Sequence, residues 1–167
     1  MQKAPGPDGL PNWLLRDFST HLVGPVYAIY NASVREEFIP SRWKEAIVVP
    51  VPKVHPPRAI EYDLRLISLT ATLGKVLESF IGAWILQRVS SRLDDHQYGA
   101  LKQRSTTNAF VDMLHHWHAA VDTGQSVRTV FVDFTKAFDH VDHNVLLSKL
   151  VALGLPDVIV RWICAFL

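Results

Sequence analysis

The sequence is poor in cysteine, in long apolar segments and in net charge. Its one cysteine, Cys164, excludes an internal disulfide and is typical of a protein kept in a reducing compartment. No apolar segment approaches the roughly 18 residues that a membrane span requires, and the N terminus reaches Pro5 and Gly6 before any apolar run that could act as a secretion signal. We therefore expect an intracellular protein of the nucleus or cytoplasm that is not secreted, enters no membrane and has no disulfide partner. Cys164 is expected to be a buried core thiol.

The composition is that of a folded protein. The chain has 167 residues, of which 49% are hydrophobic and 20% charged, so it can bury a core. This length suits one domain, or one domain and part of another. The net charge of +1 excludes nothing by itself, but residues 35–104 are mildly basic and residues 105–167 mildly acidic. A basic surface beside an acidic one suits phosphates next to a metal site, although ordinary variation in surface charge explains the same distribution.

Periodic apolar residues predict that helices predominate. The Pro-Gly-rich N terminus leads into a helix that opens at Pro11 or Asn12. Apolar residues then recur at helical spacing over residues 21–38, from Leu22 to Phe38. Further helices are expected from Leu73 onward with Thr70 or Thr72 as cap, from Ser105 or Thr106 to Gly124, from Asp142 or His143 to Gly154, and from Pro156 to the last residue.

Two segments have the composition of strands. The stretch "EAIVVPVPK" is short and β-branched, and its two prolines confine it to the edge of a sheet. The polar, turn-rich stretch after it, which becomes apolar again at "LRLISLT", predicts a loop or a hairpin. The strongest strand pattern is Val127–Phe134, where Thr129, Phe131 and Asp133 would share one face of a buried strand.

An aspartate in such a strand needs an explanation. A buried carboxylate without a partner costs several kcal/mol or more, so Asp133 would need a basic partner, a proton or a metal ion. Its position near the C-terminal end of the strand is one where ligands often bind in open α/β sheets. A strand-end aspartate that caps the following turn explains the same residue, and the residues alone leave both interpretations open.

Four stretches occur in order along the chain: "KAPGPDGLP", "VPVPKVHPPRAIEYDLRLISLTATLGKVLE", "HQYGALKQRSTTNAFVDMLHHW" and "FVDFTKAFDHVDH". Together they resemble the N-terminal extension, two fingers motifs and first catalytic motif of reverse transcriptases from non-LTR (LINE-type) retrotransposons, closest to the jockey/CR1 type. The order and spacing are similar to those of the family over nearly the whole chain. Two positions depart from it: Leu66 stands where proline is common, and Gln103 where glycine is common.

The resemblance implies an α+β (α/β) fold, a fragment of a right-hand polymerase. Residues 1–125 would form the N-terminal extension and helical fingers, and residues 126–167 the first strand and helices of the palm. The family's later Tyr-x-Asp-Asp motif does not occur in the sequence, and the rest of the palm and the thumb are missing with it. We therefore expect a fragment of a longer gene, a truncated copy of an element or a degenerate open reading frame. We expect this chain alone to have no polymerase activity, although the enzymes that it resembles are nucleotidyltransferases.

The catalytic residues that the resemblance implies lie in the fourth stretch. Asp133 would be catalytic and would bind metal together with the backbone carbonyl of Phe134. Two Mg²⁺ ions in the complete enzyme clamp the attacking and leaving oxygens when a primer 3′-OH attacks a dNTP. Phe138 would be the aromatic residue that excludes a 2′-OH from the dNTP site; without the resemblance, a core aromatic residue is the favoured explanation.

The remaining implied contacts are to substrates: an RNA template, a DNA primer and dNTP. Lys53 and Arg65 would bind the dNTP triphosphate, and Arg58 lies between them and can share that role. The template would contact the loop before the helix at Ser105, where glycine allows close approach and the helix N terminus offers backbone donors. Its expected template-binding residues are Gln97, Gly99, Lys102, Arg104 and Ser105.

Three functions remain to be compared. The leading one is a partial RNA-directed DNA polymerase, and the alternative is a non-catalytic RNA-binding remnant of a retroelement that keeps the basic fingers surface. A phosphotransferase with an aspartyl nucleophile is disfavoured, because such enzymes usually carry a second aspartate two residues after the first, and here that residue is Thr135.

Overall fold

The computed structural model describes residues 4–59 and 63–167. The chain divides into two compact units. The first contains the residues up to Arg88 together with His143–Leu167, and the second contains Val89–Asp142. The first unit is therefore built from two separate parts of the sequence.

The described elements are mostly helical, with one small sheet, as the sequence predicts for an α+β fragment. They are α1 Asn12–Asp17, α2 Ser19–Arg35, α3 Ser41–Lys44, β1 Ala46–Pro52, β2 Leu64–Thr70, α4 Thr72–Val89, a single 3₁₀ turn Ser90–Arg92, α5 Thr106–Asp122, α6 His143–Ala152 and α7 Asp157–Phe166. Within the described residues, no helix is both long enough and apolar enough to cross a membrane.

Strands β1 and β2 form an antiparallel hairpin. Ala46 lies opposite Thr70 and Pro52 opposite Leu64. Among the described residues these two strands make up a two-stranded sheet, so both are edge strands. This confirms the predicted edge strand and hairpin, since an edge tolerates the missing amide donors of the prolines in β1.

The core of the first unit joins its two parts. Tyr30 of α2 and Leu77 of α4 are buried in one cluster with Trp162 of α7. Trp162 is 3% exposed, and its Nε1 donates to Ser33 Oγ at 3.0 Å. The Ser33 hydroxyl in turn donates to the Phe38 carbonyl at 2.6 Å. The indole N–H, the Ser33 hydroxyl and the Phe38 carbonyl are therefore each paired, which offsets the cost of removing them from water.

Tyr30 also connects α2 to α4 by a hydrogen bond. Its hydroxyl donates to the Leu73 carbonyl at 2.8 Å, in the first turn of α4, and its ring meets that of Trp43 edge to face, with centroids 6.0 Å apart. Burial raises the pKa of Tyr30 to about 12. The hydroxyl therefore stays protonated and keeps donating throughout the neutral and mildly alkaline range.

Most predicted helix limits are confirmed. Helix α1 follows Pro11, Ser105 caps α5 by accepting from the Asn108 amide at 3.3 Å, and α6 begins at His143. The positive φ values of Gly124 and Gly154, +75° and +71°, fit their predicted roles as stop residues, because glycine adopts this conformation without steric cost.

Two details of the first unit differ from the prediction. Helix α2 ends at Arg35, and Glu37 has a φ of +54°. The chain reverses there, which leaves Phe38 exposed and buries Ile39 instead. The first amide of α4 is capped by Asp8, at 2.7 Å, and not by Thr70 or Thr72, because a carboxylate from a distant part of the chain reaches it.

The predicted strand Val127–Phe134 is not formed. This segment has no regular secondary structure and all of its residues are exposed, the large apolar ones from 39% at Val127 to 84% at Val130. A strand needs a hydrogen-bonded neighbour, and the part of the chain that the structure describes supplies none. Strand-forming composition alone therefore did not decide the conformation.

The predicted burial of Cys164 is wrong. Its thiol is exposed on α7, while Trp162 two residues earlier is buried. Two residues correspond to about 200° of rotation around a helix, so the two side chains lie on nearly opposite sides. The apolar pattern of this segment does not distinguish them.

Candidate functional site

The predicted triphosphate contacts lie at the far end of the hairpin. Arg65 is exposed in β2, opposite Val51 of β1. The Lys53 amide donates to the Asp63 carbonyl at 2.7 Å, one position beyond the last strand pair, Pro52 and Leu64. This bond holds Lys53 close to Arg65, at about the 7–8 Å Cα separation of diagonal neighbours in a hairpin. This separation lets both side chains reach adjacent oxygens of one triphosphate.

Asp63 organises the loop beside these two cations. Its Oδ2 accepts from the amides of Arg58 at 2.7 Å and Ala59 at 2.9 Å. Those two amides, and less strongly the charge of Lys53, lower the pKa of Asp63, so the carboxylate remains ionised at neutral pH. Arg58 is exposed beside it. The next part of this loop, residues 60–62, lies outside the described residues.

The predicted template loop is held together by Arg104. Its Nη1 donates to the carbonyl oxygens of Asp94, Asp95 and Gln97, the last at 3.0 Å. The guanidinium thus orders the loop from inside, an arrangement that the sequence did not suggest. The Gln97 side chain donates to the Gly99 carbonyl at 3.0 Å.

The other members of the same loop are oriented toward solvent. Lys102 and Gly99 are exposed, and a Cβ on Gly99 would meet Gln97 Nε2 at an ordinary 3.8 Å. Gln103 has a φ of +64°, in the left-handed region that glycine adopts most easily. The position where glycine is common in the resembling sequences therefore keeps a glycine-like conformation with a glutamine side chain.

A second polar cluster in this unit was missed by the sequence reasoning. His96 lies between Asp94, at 3.1 Å, and Asp112, at 3.9 Å, and His116 lies 3.5 Å from Asp112. Burial, followed by a hydrogen bond with Asp112, raises the pKa of Tyr98. The spacing of Asp112 and His116, four residues apart on α5, is the sequence signal that could have found part of this cluster.

The predicted catalytic segment is solvent-exposed. Asp133, Phe134 and Phe138 lie outside regular secondary structure, and Phe138 is 94% exposed. A turn follows Asp133, closed by the Asp139 amide donating to the Lys136 carbonyl at 3.0 Å. In this structure Phe138 is not a core aromatic residue, and its ring is accessible to a ligand.

The predicted residues fall into three local groups. Lys53 and Arg65 belong to the first unit, where the hairpin brings them together. Asp133 with its neighbours and the template loop belong to the second unit, each as a continuous piece of chain. The loop collects its five predicted residues, Gln97, Gly99, Lys102, Arg104 and Ser105, over nine positions.

The comparison with protein families decides what this arrangement belongs to. The family described as reverse transcriptase (RNA-dependent DNA polymerase) matches residues 51–167, well over half of the chain. The chain belongs to the reverse transcriptase family. The matched region contains the hairpin cations, the template loop and Asp133. The N-terminal turn and α1 and α2 precede it.

Relatives of this reverse transcriptase fragment come from non-LTR retrotransposons. A probable RNA-directed DNA polymerase from transposon BS of Drosophila melanogaster is 32% identical over 155 residues, 92% of this chain and 17% of the relative. The RNA-directed DNA polymerase from mobile element jockey of the same species is 26% identical over 160 residues, 95% of this chain and 18% of the relative. A Retrovirus-related Pol polyprotein from type-1 retrotransposable element R1 of Bradysia coprophila is 26% identical over 156 residues, 90% of this chain and 15% of the relative.

The matches confirm the family and the jockey-like character that the sequence motifs indicated. They also show that the chain spans about 15 to 18% of the length of these relatives. This reverse transcriptase chain is therefore a partial domain when measured against them. Because the alignment with the BS polymerase covers 92% of this chain, it extends into the N-terminal residues that the family match leaves out.

Reverse transcriptases generally use divalent metal ions, so we examined whether the described residues can hold one. No group of three or more His, Cys, Asp or Glu side chains among them is arranged to bind a metal. Asp133 offers one exposed carboxylate, with the Phe134 carbonyl beside it in sequence. Mg²⁺ prefers near-octahedral oxygen ligation, so this pair by itself does not form a complete site.

Proposed function

We propose that this chain supplies the nucleotide- and template-contacting part of an RNA-directed DNA polymerase that extends a DNA primer on an RNA template. The observation that supports the proposal is the hairpin, at whose end the exposed residues Lys53 and Arg65 lie near one another. A neighbouring arginine and lysine suit a triphosphate, since arginine makes forked contacts and lysine adds a point charge. We also propose that the protein acts inside the cell, in the nucleus or cytoplasm.

The assigned roles follow the motifs. Lys53 and Arg65 bind the dNTP triphosphate, Phe138 contacts the sugar, and the loop with Gln97, Gly99, Lys102, Arg104 and Ser105 contacts the template. Because Arg104 already donates to three backbone carbonyls, its role is to shape the loop, while Lys102 makes the phosphate contact. Asp133 with the Phe134 carbonyl contributes part of the oxygen ligands for Mg²⁺, and carboxylates from the rest of the polymerase complete the two-ion site.

A binding experiment tests the hairpin roles on this chain directly. Affinity for inorganic tripolyphosphate would be measured by calorimetry for the wild-type protein, Lys53→Ala and Arg65→Ala. We expect each variant to bind at least several-fold more weakly, since a charged hydrogen-bond partner is lost. Lys149→Ala is the matched control, because Lys149 is an exposed lysine on α6. Equal losses in all three variants would contradict a specific site.

A second experiment tests the catalytic role of Asp133. This chain alone should not extend oligo(dT) on poly(rA) with Mg²⁺. Transplanted in place of the matching segment of the BS polymerase, it should support extension, and Asp133→Ala should abolish it while Asp122→Ala does not. Asp122 is an exposed aspartate at the end of α5. An active Asp133→Ala chimera would refute the assignment.

A non-catalytic RNA-binding role is the second candidate. The observation that favours it is that the basic hairpin and the template loop are ordered by internal hydrogen bonds, whereas residues 127–134 are exposed and irregular. In that case RNA binding would be lost when Lys53, Arg65 or Lys102 is replaced by alanine and would be unaffected by Asp133→Ala. The chimera described above would be inactive even with Asp133 present.

A further inference from the structure

We infer that the N-terminal turn Gly6–Gly9 is a positioning element for the basic hairpin, and that Asp8 is its positioning residue. The inference rests on the proposed function, because it assigns the turn to the same triphosphate contacts. The turn lies outside residues 51–167, which the family match covers. The roles proposed above for the hairpin and the template loop assign no function to the turn.

Asp8 connects the turn to the junction between β2 and α4. Its Oδ2 accepts from the Thr72 amide at 2.7 Å and its Oδ1 from the Leu10 amide at 3.3 Å. The Thr72 hydroxyl donates back to the Leu10 carbonyl at 2.8 Å. One carboxylate therefore closes its own turn and also caps the first amide of a helix more than sixty residues later. The negative charge at the start of α4 also complements the helix dipole.

The turn fits the junction closely. A Cβ on Gly6 would lie 2.1 Å from the Thr70 carbonyl oxygen and 2.9 Å from the Ala71 nitrogen, so a side chain at this position would force the two backbones apart. The Gly9 amide donates to the Gly6 carbonyl at 3.0 Å, and Gly9 has a φ of +66°. Ala71, beneath the turn, is completely buried.

The hairpin depends on this junction for its orientation. Within the described residues its strands pair with each other alone, and most of their side chains are exposed. Thr70 is the last residue of β2. Arg65 lies five residues before Thr70, about 17 Å away at roughly 3.4 Å per residue. A tilt of about 10° at Thr70 would displace Arg65 by about 3 Å, enough to break a hydrogen bond.

The experiment compares Asp8→Ala, Asp8→Asn and Asp17→Ala in the full chain with Cys164 replaced by serine. Asn keeps an acceptor oxygen without the charge. Asp17 is an exposed aspartate of α1 whose partner is Arg16, so it controls for the loss of a carboxylate in the same unit. Spin labels at Leu66, which is 69% exposed in β2, and at exposed Ser79 in α4 report the hairpin orientation.

Asp8→Ala should broaden the distance distribution between the two labels by about 3 Å or more, and it should speed exchange of the Thr72 amide about fivefold. Asp8→Asn should restore most of the wild-type distribution, and Asp17→Ala should leave it unchanged. An unchanged distribution in Asp8→Ala, with helix content intact, would overturn the inference. A purely stabilising role would lower the melting temperature without moving the label distances.

Tripolyphosphate affinity separates this inference from the proposed function. If both hold, Asp8→Ala weakens binding several-fold, and it has no further effect when Lys53 and Arg65 are already alanine. If the wild-type protein does not bind tripolyphosphate but the label distances respond to Asp8, the triphosphate role fails and the positioning of the hairpin stands. If binding is normal and the distances do not respond, the positioning role fails alone.

Discussion

Replacing Trp162 tests whether the two sequence-distant parts of the first unit form one core. The side chain is 3% exposed and its indole nitrogen donates to Ser33 Oγ at 3.0 Å. Truncating a buried tryptophan to alanine costs about 3–5 kcal/mol. Since small domains are stable by about 5–15 kcal/mol, Trp162→Ala should remove about a fifth or more of the unfolding free energy.

Two milder variants separate the packing from the hydrogen bond. Trp162→Phe keeps most of the ring volume, and Ser33 retains an acceptor in the Phe38 carbonyl, so we expect a loss of about 1–2 kcal/mol. Ser33→Ala leaves the indole N–H and the Phe38 carbonyl unpaired and should cost about 2 kcal/mol or more. The double variant Trp162→Phe, Ser33→Ala should lose less stability than the sum of the two single variants, because each of them removes the same hydrogen bond.

Urea denaturation followed by far-ultraviolet circular dichroism measures these differences. Trp13→Ala is the control, since Trp13 is 40% exposed on α1 and should cost well under the loss at Trp162. If Trp162→Ala were no more destabilising than Trp13→Ala, α7 would not be docked on α2, and the described core would be incorrect.

Three further outcomes follow from local contacts. Ser105→Ala should destabilise α5 by about 1 kcal/mol and speed exchange of the Asn108 amide, whereas Ser105→Asp should not. A hydrogen bond from Arg161 lowers the pKa of Glu37. This pair therefore stabilises the folded state above the unfolded pKa of about 4.3, and it loses that effect as the pH falls through the lower folded pKa. The stability difference between wild type and Glu37→Gln should vanish in acid and shrink in high salt. Arg104→Ala should open the loop whose carbonyls it binds and increase cleavage there in limited proteolysis, and an unchanged cleavage pattern would argue against that role.

Local signals in the sequence were sufficient for much of the fold. The prolines of β1, the serine before α5 and the glycine after it act on their immediate neighbours, so element limits at these places could be predicted. The end of α2 at Arg35 could not be predicted, because it depends on the left-handed conformation of Glu37. Glutamate rarely adopts this conformation, so its presence does not indicate a turn.

Contacts between distant residues were not predictable in the same way. Nothing near Asp8 indicates that it caps α4, and nothing near Trp162 indicates that it bonds to Ser33. The segment Val127–Phe134 shows the converse: its composition favours a strand, yet no described neighbour pairs with it. For the site, the motif resemblance predicted the hairpin cations and the template loop. The hydrogen bonds by which Arg104 orders that loop were seen only in the structure.

The irregular segment around Val127–Phe134 lies in a unit that interrupts the first one, and this has a practical consequence. A protease that nicks the chain between residues 125 and 141 should not release the C-terminal peptide, because the indole contact with α2 continues to retain it. Both fragments should co-elute from a sizing column and separate when denatured. The same region is then a natural point at which to divide the molecule for expression as two complementing halves.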